Sequence, residues 1–439
     1  MALDPEELNK RRLEREARRI KRQRAMYIRL AIAVLVLIAC GVGIFILIKN
    51  SEPAAAPVIA TEAVEQIVEE TEPPTEAKAS WEKEPVKIHI AAAGDLNITD
   101  KVIWSGQTSG DFNYTNAFMD VAPIFSDADL AILNFEGNVC GAPYGTETLS
   151  APQQLLEALK NAGVDVLQMA NSCSIKNGLI GLTSTLANIR AAGLVPVGAY
   201  SSAEEFRKSK GYTICEVGDI KIALVAFTKG VGSLGLPVGS EDCVNLLYED
   251  YYTTYQTINK KSIREILRAA ASEKPDITIA LLHWGSEYNE EISSSQEDIA
   301  ALMLSEGVDA IIGSHPHLVH QIDFDETAGT LVAYSLGDFF GDGTRGGTNY
   351  SIILDIEITK DYDSGVTKIT DYSYVPIYTL AEDQCDGNRR VVRIENAMSA
   401  YELNFVDKIT TSCYENMVFA IERIQKRVNA GKEAETTDK

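Results

Sequence analysis

Positive charge is scarce in this sequence. Against 63 Asp and Glu stand 40 Lys and Arg, a formal net charge of -23, and no basic patch occurs outside the N-terminal segment. A nucleic-acid partner is thereby excluded, because phosphate binding works through clustered Lys and Arg that release counterions. Nucleophile and nucleotide motifs are missing too: there is no GxSxG elbow, no Walker A loop and no CxxC pair. The chemistries that depend on them go as well. Histidine is rare, five in 439 residues, yet three fall within Ile311–His320, IIGSHPHLVH.

The 45% of hydrophobic residues is ordinary for a globular chain and allows a large core. One apolar stretch stands apart. Leu30–Ile48, LAIAVLVLIACGVGIFILI, carries no charge and at ~1.5 Å per residue covers roughly 28 Å, close to the hydrocarbon thickness of a bilayer. Residues 1–29 before it are rich in Lys and Arg, and residues 49–85 after it are rich in Glu, Pro, Ala and Thr. The pattern predicts a basic cytoplasmic tail, a single transmembrane helix over 30–48, a disordered acidic stalk over 49–85 and an extracellular remainder. The length of the basic lead and of the apolar run argues against a cleaved signal peptide. Export would place six of the seven cysteines where disulfides persist.

From Val86 onward short apolar runs alternate with helical patterns, which predicts an α/β layered sandwich of mixed sheets flanked by helices. VKIHIAAAGD reads as a strand ending at Asp95, and DADLAILNFEGN as one ending near Asn134 and Glu136. SAPQQLLEALKNAG predicts a helix capped by Ser150 and closed by Gly163, followed by the strand VDVLQMAN. The phrase returns in SSQEDIAALMLSEG, with a capping box from Ser294 to Glu297 and Gly307 as terminator, before VDAIIGSHPH. GYTICEVGDIKIALVAF predicts a hairpin turning at Gly218 and Asp219. TLVAYSLGDF, SIILDIEITK and VTKITDYSYVPIY predict antiparallel strands, and CYENMVFAIERIQKRVNAG a closing amphipathic helix. The main domain is expected over 86–380, with 381–439 as an extension carrying that helix.

The predicted strands end in a common vocabulary: Asp95, Glu136, Asn171, His283, then His315 and His317. In an open α/β sheet the carboxyl ends of the strands line the ligand crevice, so five strands would aim oxygen and nitrogen donors at one rim. Any one of these residues alone has a plain structural use as a cap, a turn former or a core histidine. Together, Asp, Asn and His make a mixed N/O set suited to zinc, manganese or iron rather than calcium. A metal there would polarise a phosphoryl or amide oxygen and activate water.

In order and approximate spacing, AAAGD, LNFEGNV, MANSCSIKNG, LLHWGSEY, IIGSHPHLVHQID and AYSLGDF resemble the successive motifs of the CapA/PgsA capsule synthesis family, which is associated with poly-γ-glutamate. The resemblance covers about Ile88 to Leu336 and implies a calcineurin-type metallophosphoesterase fold. It also implies a membrane-anchored layout at the cell envelope, with an anionic capsule polymer or its synthase subunits as partners beside the lipid bilayer. Carried over, it makes Asp95, Glu136, Asn171 and His283 the catalytic candidates. Asp95, Asn171, His283, His315 and His317 become the ligands of a divalent Zn or Mn.

Two departures break the pattern. Where the family shows ANNHxxDxG this chain has ANSCSIKNG, so Ser172, Cys173 and Lys176 replace Asn, His and Asp; Asp338 stands where SLGNF is usual. Lysine offers no acceptor to a metal or to a histidine proton. Three readings of the break stay open: Cys173 as a thiolate ligand, Lys176 as a point charge for an anion, and a Cys140–Cys173 disulfide stapling the rim. Two functions follow, a polymer- or partner-binding protein with a degenerate metal site, or an exported metal-dependent hydrolase of phosphoester or γ-glutamyl amide bonds.

Overall fold

The computed structural model describes residues 83–145, 148–232, 235–384, 387, 389–403 and 409–431. The expected tail, the span over 30–48 and nearly all of the stalk lie outside them. Among the described residues no helix is long and apolar enough to cross a membrane.

Two sheets carry the chain from Pro85 on. In the first, β1 (Val86–Asn97) has β2 (Leu130–Glu136), β3 (Val166–Gln168) and β4 (Val195–Val197) in parallel succession on one side. Helices α1 (Gln154–Ala162) and α2 (Gly178–Ala191) make the crossovers from β2 to β3 and from β3 to β4. The second sheet holds β5 (Tyr212–Val217), β6 (Ile220–Thr228), β7 (Ile277–His283), β8 (Ala310–Ser314), β9 (Ile322–Asp325) and β10 (Thr330–Ala333). Their spatial order is β5-β6-β7-β8-β10-β9. The chain then returns to the first sheet with β11 (Asp338–Phe340) parallel to β1. An antiparallel run, β12 (Tyr350–Asp361), β13 (Val366–Leu380) and β14 (Arg390–Arg393), completes it.

Side-chain alternation explains the stacking. Along β6, Ile222, Leu224 and Ala226 join the core that also holds Ile90 and Ala92 of β1, whereas Ala223, Val225 and Phe227 join a second cluster. That cluster includes Ile263 and Leu267 of α3 (Lys260–Ala271) and Ile299 and Met303 of α4 (Ser294–Ser305). A strand covered on both faces is apolar at nearly every position, which is why β6 and β7 read as continuous hydrophobic runs. Each such Ile or Leu contributes about 1.5–3 kcal/mol of burial.

TLVAYSLGDF is two strands rather than one antiparallel strand. β10 lies parallel to β8 in the second sheet and β11 parallel to β1 in the first, so residues 334–337 cross between sheets. Two glycines open that passage: a Cβ on Gly94 would stand 1.9 Å from Gly337 O, and one on Gly313 2.1 Å from Tyr334 O. Ser150 caps no helix; its hydroxyl donates to Gly141 O (2.8 Å), and α1 begins after Gln153. The capping box runs from Ser293 to Gln296, one residue earlier than expected. The hairpin pairs Val217 with Ile220 as expected. The C-terminal extension is built into the same body: β14 lengthens the first sheet, and α5 (Thr411–Val428) puts Met417, Ala420 and Ile424 into the main core.

Candidate metal centre

Each strand presents its candidate residue at or near the carboxyl end. Asp95 lies in the last part of β1, Glu136 ends β2, Asn171 follows β3, His283 ends β7 and His315 follows β8. The crossing segment then delivers Asp338 in register with Asp95. Carboxylates and amides arrive from the first sheet, imidazoles from the second.

They meet. His317 Nδ1 is 2.7 Å from Asp338 Oδ1 and 3.3 Å from Asp95 Oδ2, and His317 Nε2 is 4.0 Å from Glu136 Oε2. The two oxygens of Asp95 are otherwise held by Asn134 Nδ2 (2.5 Å) and the backbone N–H of His315 (3.1 Å). His283 and His315 lie with ring centroids 4.4 Å apart. His315 and His317 both adopt positive φ, +96° and +60°. For residues other than glycine that region costs about 1–3 kcal/mol, a strain found where surrounding structure over-determines a functional loop.

The altered loop enters the centre through Ser172. Its hydroxyl donates to Glu136 Oε1 (2.8 Å) and lies 2.8 Å from His283 Nε2. With its single proton given to the carboxyl group, it accepts from the imidazole N–H. His283 Nδ1 then faces Ser314 Oγ (3.3 Å) and Asn134 Nδ2 (3.5 Å) as an acceptor. Asn171, expected as a ligand, has both polar atoms committed to holding the loop. Its Nδ2 donates to Phe135 O (2.7 Å) and Asn134 Oδ1 (3.2 Å), and its Oδ1 accepts from Cys173 N–H (3.0 Å).

The Cys140–Cys173 disulfide is not formed. Both residues are free thiols, and the Cys140 Sγ lies 3.5 Å from Ser150 Oγ, its local partner. Burial pushes the Cys173 thiol well above its ordinary pKa, with Glu136 adding to the effect, and among the described residues Cys173 belongs to none of the side-chain groups that could hold a metal ion. Lys176 sits exposed in the turn, its N–H on Cys173 O (3.1 Å). His320 is buried outside the cluster, with Nε2 2.8 Å from Asn289 O.

Among the described residues three overlapping sets have ligand atoms all within 4.8 Å of one another: Glu136, His315 and His317; Asp95, Glu136 and His283; Asp95, His317 and Asp338. Glu136 Oε2 and His315 Nδ1 are buried without a hydrogen-bond partner. Two such atoms of opposite half-sites, in a set of carboxylates and imidazoles, fit a divalent first-row metal. Asp338, which holds His317 Nδ1, would leave Nε2 as the ligating atom in the manner of a carboxylate–histidine–metal arrangement.

The electrostatics match. Burial lifts the Glu136 carboxyl to about 8, with the charge of His317 opposing. Burial, again opposed by His317, lifts Asp338 to about 6. His317 is buried too, yet the carboxylates of Asp338 and Asp95 outweigh that and hold its pKa well above the usual value. Burial and neighbouring cations push His283 well down and His315 to about 3. Asn134, Ser172 and Asp338 are the participants that motif reading did not assign. Asn134 and Glu136 stand two apart on one strand, and that spacing marked them as sharing a face.

A two-sheet α/β sandwich gathers carboxylates and imidazoles at its strand ends, a class of site whose side chains could hold a metal ion. A family model described as "Bacterial capsule synthesis protein PGA_cap" matches residues 89–342, and the chain belongs to that family. It is 27% identical over 234 residues to the capsule biosynthesis protein CapA of Bacillus anthracis, covering 51% of this chain and 53% of that one. It is 27% identical over 249 residues to the PGA biosynthesis protein CapA of Bacillus subtilis (strain 168), covering 56% and 61%. The alignments thus span little more than half of those relatives. A solved structure of a novel phosphatase from Mycoplasma pneumoniae aligns at TM-score 0.41 and 18% identity, covering 67% of this chain and 95% of that one. A likeness of that size says nothing of chemistry.

Proposed function

We propose that this protein works in the assembly or export of an anionic capsule polymer of the poly-γ-glutamate type. In this reading it is anchored by the 30–48 segment in the cell membrane, with its α/β domain outside beside polymer synthase subunits. Its rim holds at least one divalent transition metal, zinc or manganese, through Glu136, His315 and His317, with Asp95, His283 and Asp338 around them. The family match supports the polymer role, and the observation that carries the metal is the pair of buried, unpartnered atoms, Glu136 Oε2 and His315 Nδ1. Leaving such groups unsatisfied is costly unless a ligand completes them.

When bound, the metal supplies a positive centre for an anionic group and a Lewis acid for an adjacent oxygen. The chain's own residues do the rest: Asp338 orients His317, Ser172 ties Glu136 to His283, and Asn171 holds the loop that carries Ser172. Binding of γ-linked glutamate polymer to the full chain, with and without manganese, tests this. Metal-dependent binding that His315→Ala abolishes is the expected result; polymer binding indifferent to both would refute it.

The survival of Asp95, Glu136, His283, His315 and His317 as one cluster favours a second reading, metal-dependent hydrolysis of a phosphoester or γ-glutamyl amide. Release of shortened polymer or of phosphate from model esters, lost in the same variant, would select it.

A further inference from the structure

Outward from the buried His317 the mouth of the centre is built from Tyr288, the last residue of LLHWGSEY, and Arg345. The Tyr288 ring, 39% exposed, stacks on His317 with centroids 5.3 Å apart and planes at 28°. The exposed Arg345 guanidinium lies 5.1 Å from the centroid of the same ring. The order from inside to outside is imidazole, phenol, guanidinium. Residue 345 falls beyond the matched 89–342.

We infer that Tyr288 and Arg345 form a recognition seat for a carboxylate of an extended polyanion whose neighbouring anionic group occupies the metal centre. This rests on the capsule-polymer reading above and adds to it the residues that select the ligand.

Three observations carry the inference. Arg345 forms no ion pair with a carboxylate among the described residues, in a chain with 63 acidic side chains against 40 basic ones. Nearby guanidiniums are committed: Arg389 to Glu382, and Arg423 and Arg427 to Glu290. A stacked guanidinium with its donor fork open is pre-arranged for bidentate contact with a carboxylate.

Second, the seat is braced. The loop that carries Tyr288 is tied to the histidine turn by Tyr288 N–H on Pro316 O (3.0 Å) and by His320 Nε2 at Asn289 O (2.8 Å). It is also tied to α5 by Glu290, which accepts from Arg423 (2.8 Å) and Arg427. A ligand docking there has little loop left to order.

Third, a second cation underlies the same loop. Lys229 has its N–H on His283 O (2.8 Å), its Nζ on Gly285 O (2.5 Å) and the Tyr255 ring 4.7 Å away. Glu287 is the acidic residue on this loop whose charge acts on both Tyr288 and Lys229, so it opposes an anion. A single phosphate would use the metal and leave Arg345 idle. A polymer with regularly spaced carboxylates uses both.

The test titrates the manganese-loaded full chain with γ-linked glutamate oligomers, and separately with inorganic phosphate, by calorimetry. Arg345→Gln is expected to weaken oligomer binding about tenfold, the worth of one charge-assisted contact, with phosphate affinity and metal content unchanged. Arg345→Lys should recover only part of the loss, and Glu287→Gln should tighten oligomer binding about two- to threefold, as removal of one screened repulsion does. Oligomer binding by Arg345→Gln equal to that of the unaltered chain overturns the seat and leaves the polymer reading standing. An unaltered chain that binds phosphate but no oligomer overturns both. Equal losses for oligomer and phosphate also overturn the seat, because Arg345 would then act on the group at the metal.

Discussion

The first sheet brings Asp95, Glu136 and Asp338 to the rim, and the second, through β7 and the turn after β8, brings His283, His315 and His317. The two halves satisfy their polar atoms differently. On the acidic side Asp95 has both oxygens bonded and Asp338 is paired with His317, while Glu136 keeps one oxygen bare. On the imidazole side His317 is paired and His283 is flanked by hydroxyls, while His315 keeps Nδ1 bare. Each half therefore holds one atom in reserve. Without a metal, burial holds Glu136 protonated to about pH 8, and the His317 cation opposes it only in part. With a metal, Glu136 has a reason to ionise.

That asymmetry is open to attack from either side. His317→Ala should be the most damaging change, because it strips the buried carboxylates of their cation; a loss of about 3–5 kcal/mol in metal-free urea unfolding is expected. Ser172→Ala leaves the carboxyl oxygen of Glu136 and the N–H of His283 without their shared partner, and should cost about 1–3 kcal/mol in the same assay.

The third test uses pH. The Glu136 carboxyl has a folded-state pKa of about 8 against an ordinary 4.5, so the folded state binds more protons and stability falls as pH rises through that interval. His317, raised above 6.5, adds a loss as pH climbs through its folded value. His283 and His315, lowered from 6.5, act in the opposite sense, but only below 6.5. Between pH 6.5 and 8 only the falling contributions of this group remain. The metal-free thermal midpoint should drop over that range, and Glu136→Gln, which mimics the protonated acid, should flatten the drop. Lys176→Ala, at an exposed turn outside the cluster, should change stability by no more than about 0.5 kcal/mol.

How much of this the sequence carried depends on the range of the interaction. Asp95, Glu136, His283, His315 and His317 were legible because strand ends are written locally, as an apolar run stopping at a polar residue. Asp338 was visible as a departure in SLGDF, but reading TLVAYSLGDF as one strand hid its place. The crossing between sheets depends on Gly94 and Gly313, both far away in sequence. The contact of Ser172 with His283 joins residues 111 apart, which no local pattern encodes. The disulfide inference failed for a related reason. Two cysteines near one rim are not enough, because bonding needs two sulfurs in contact, and Cys140 is engaged by Ser150.

The most direct test is the metal content of the purified full chain after exposure to zinc and manganese and exhaustive dialysis, beside that of Glu136→Gln. At least one tightly held ion per chain, largely lost in the variant while its far-ultraviolet circular dichroism is unchanged, is the predicted result. A chain that retains no ion, or a variant that retains as much as the unaltered protein, would contradict the account.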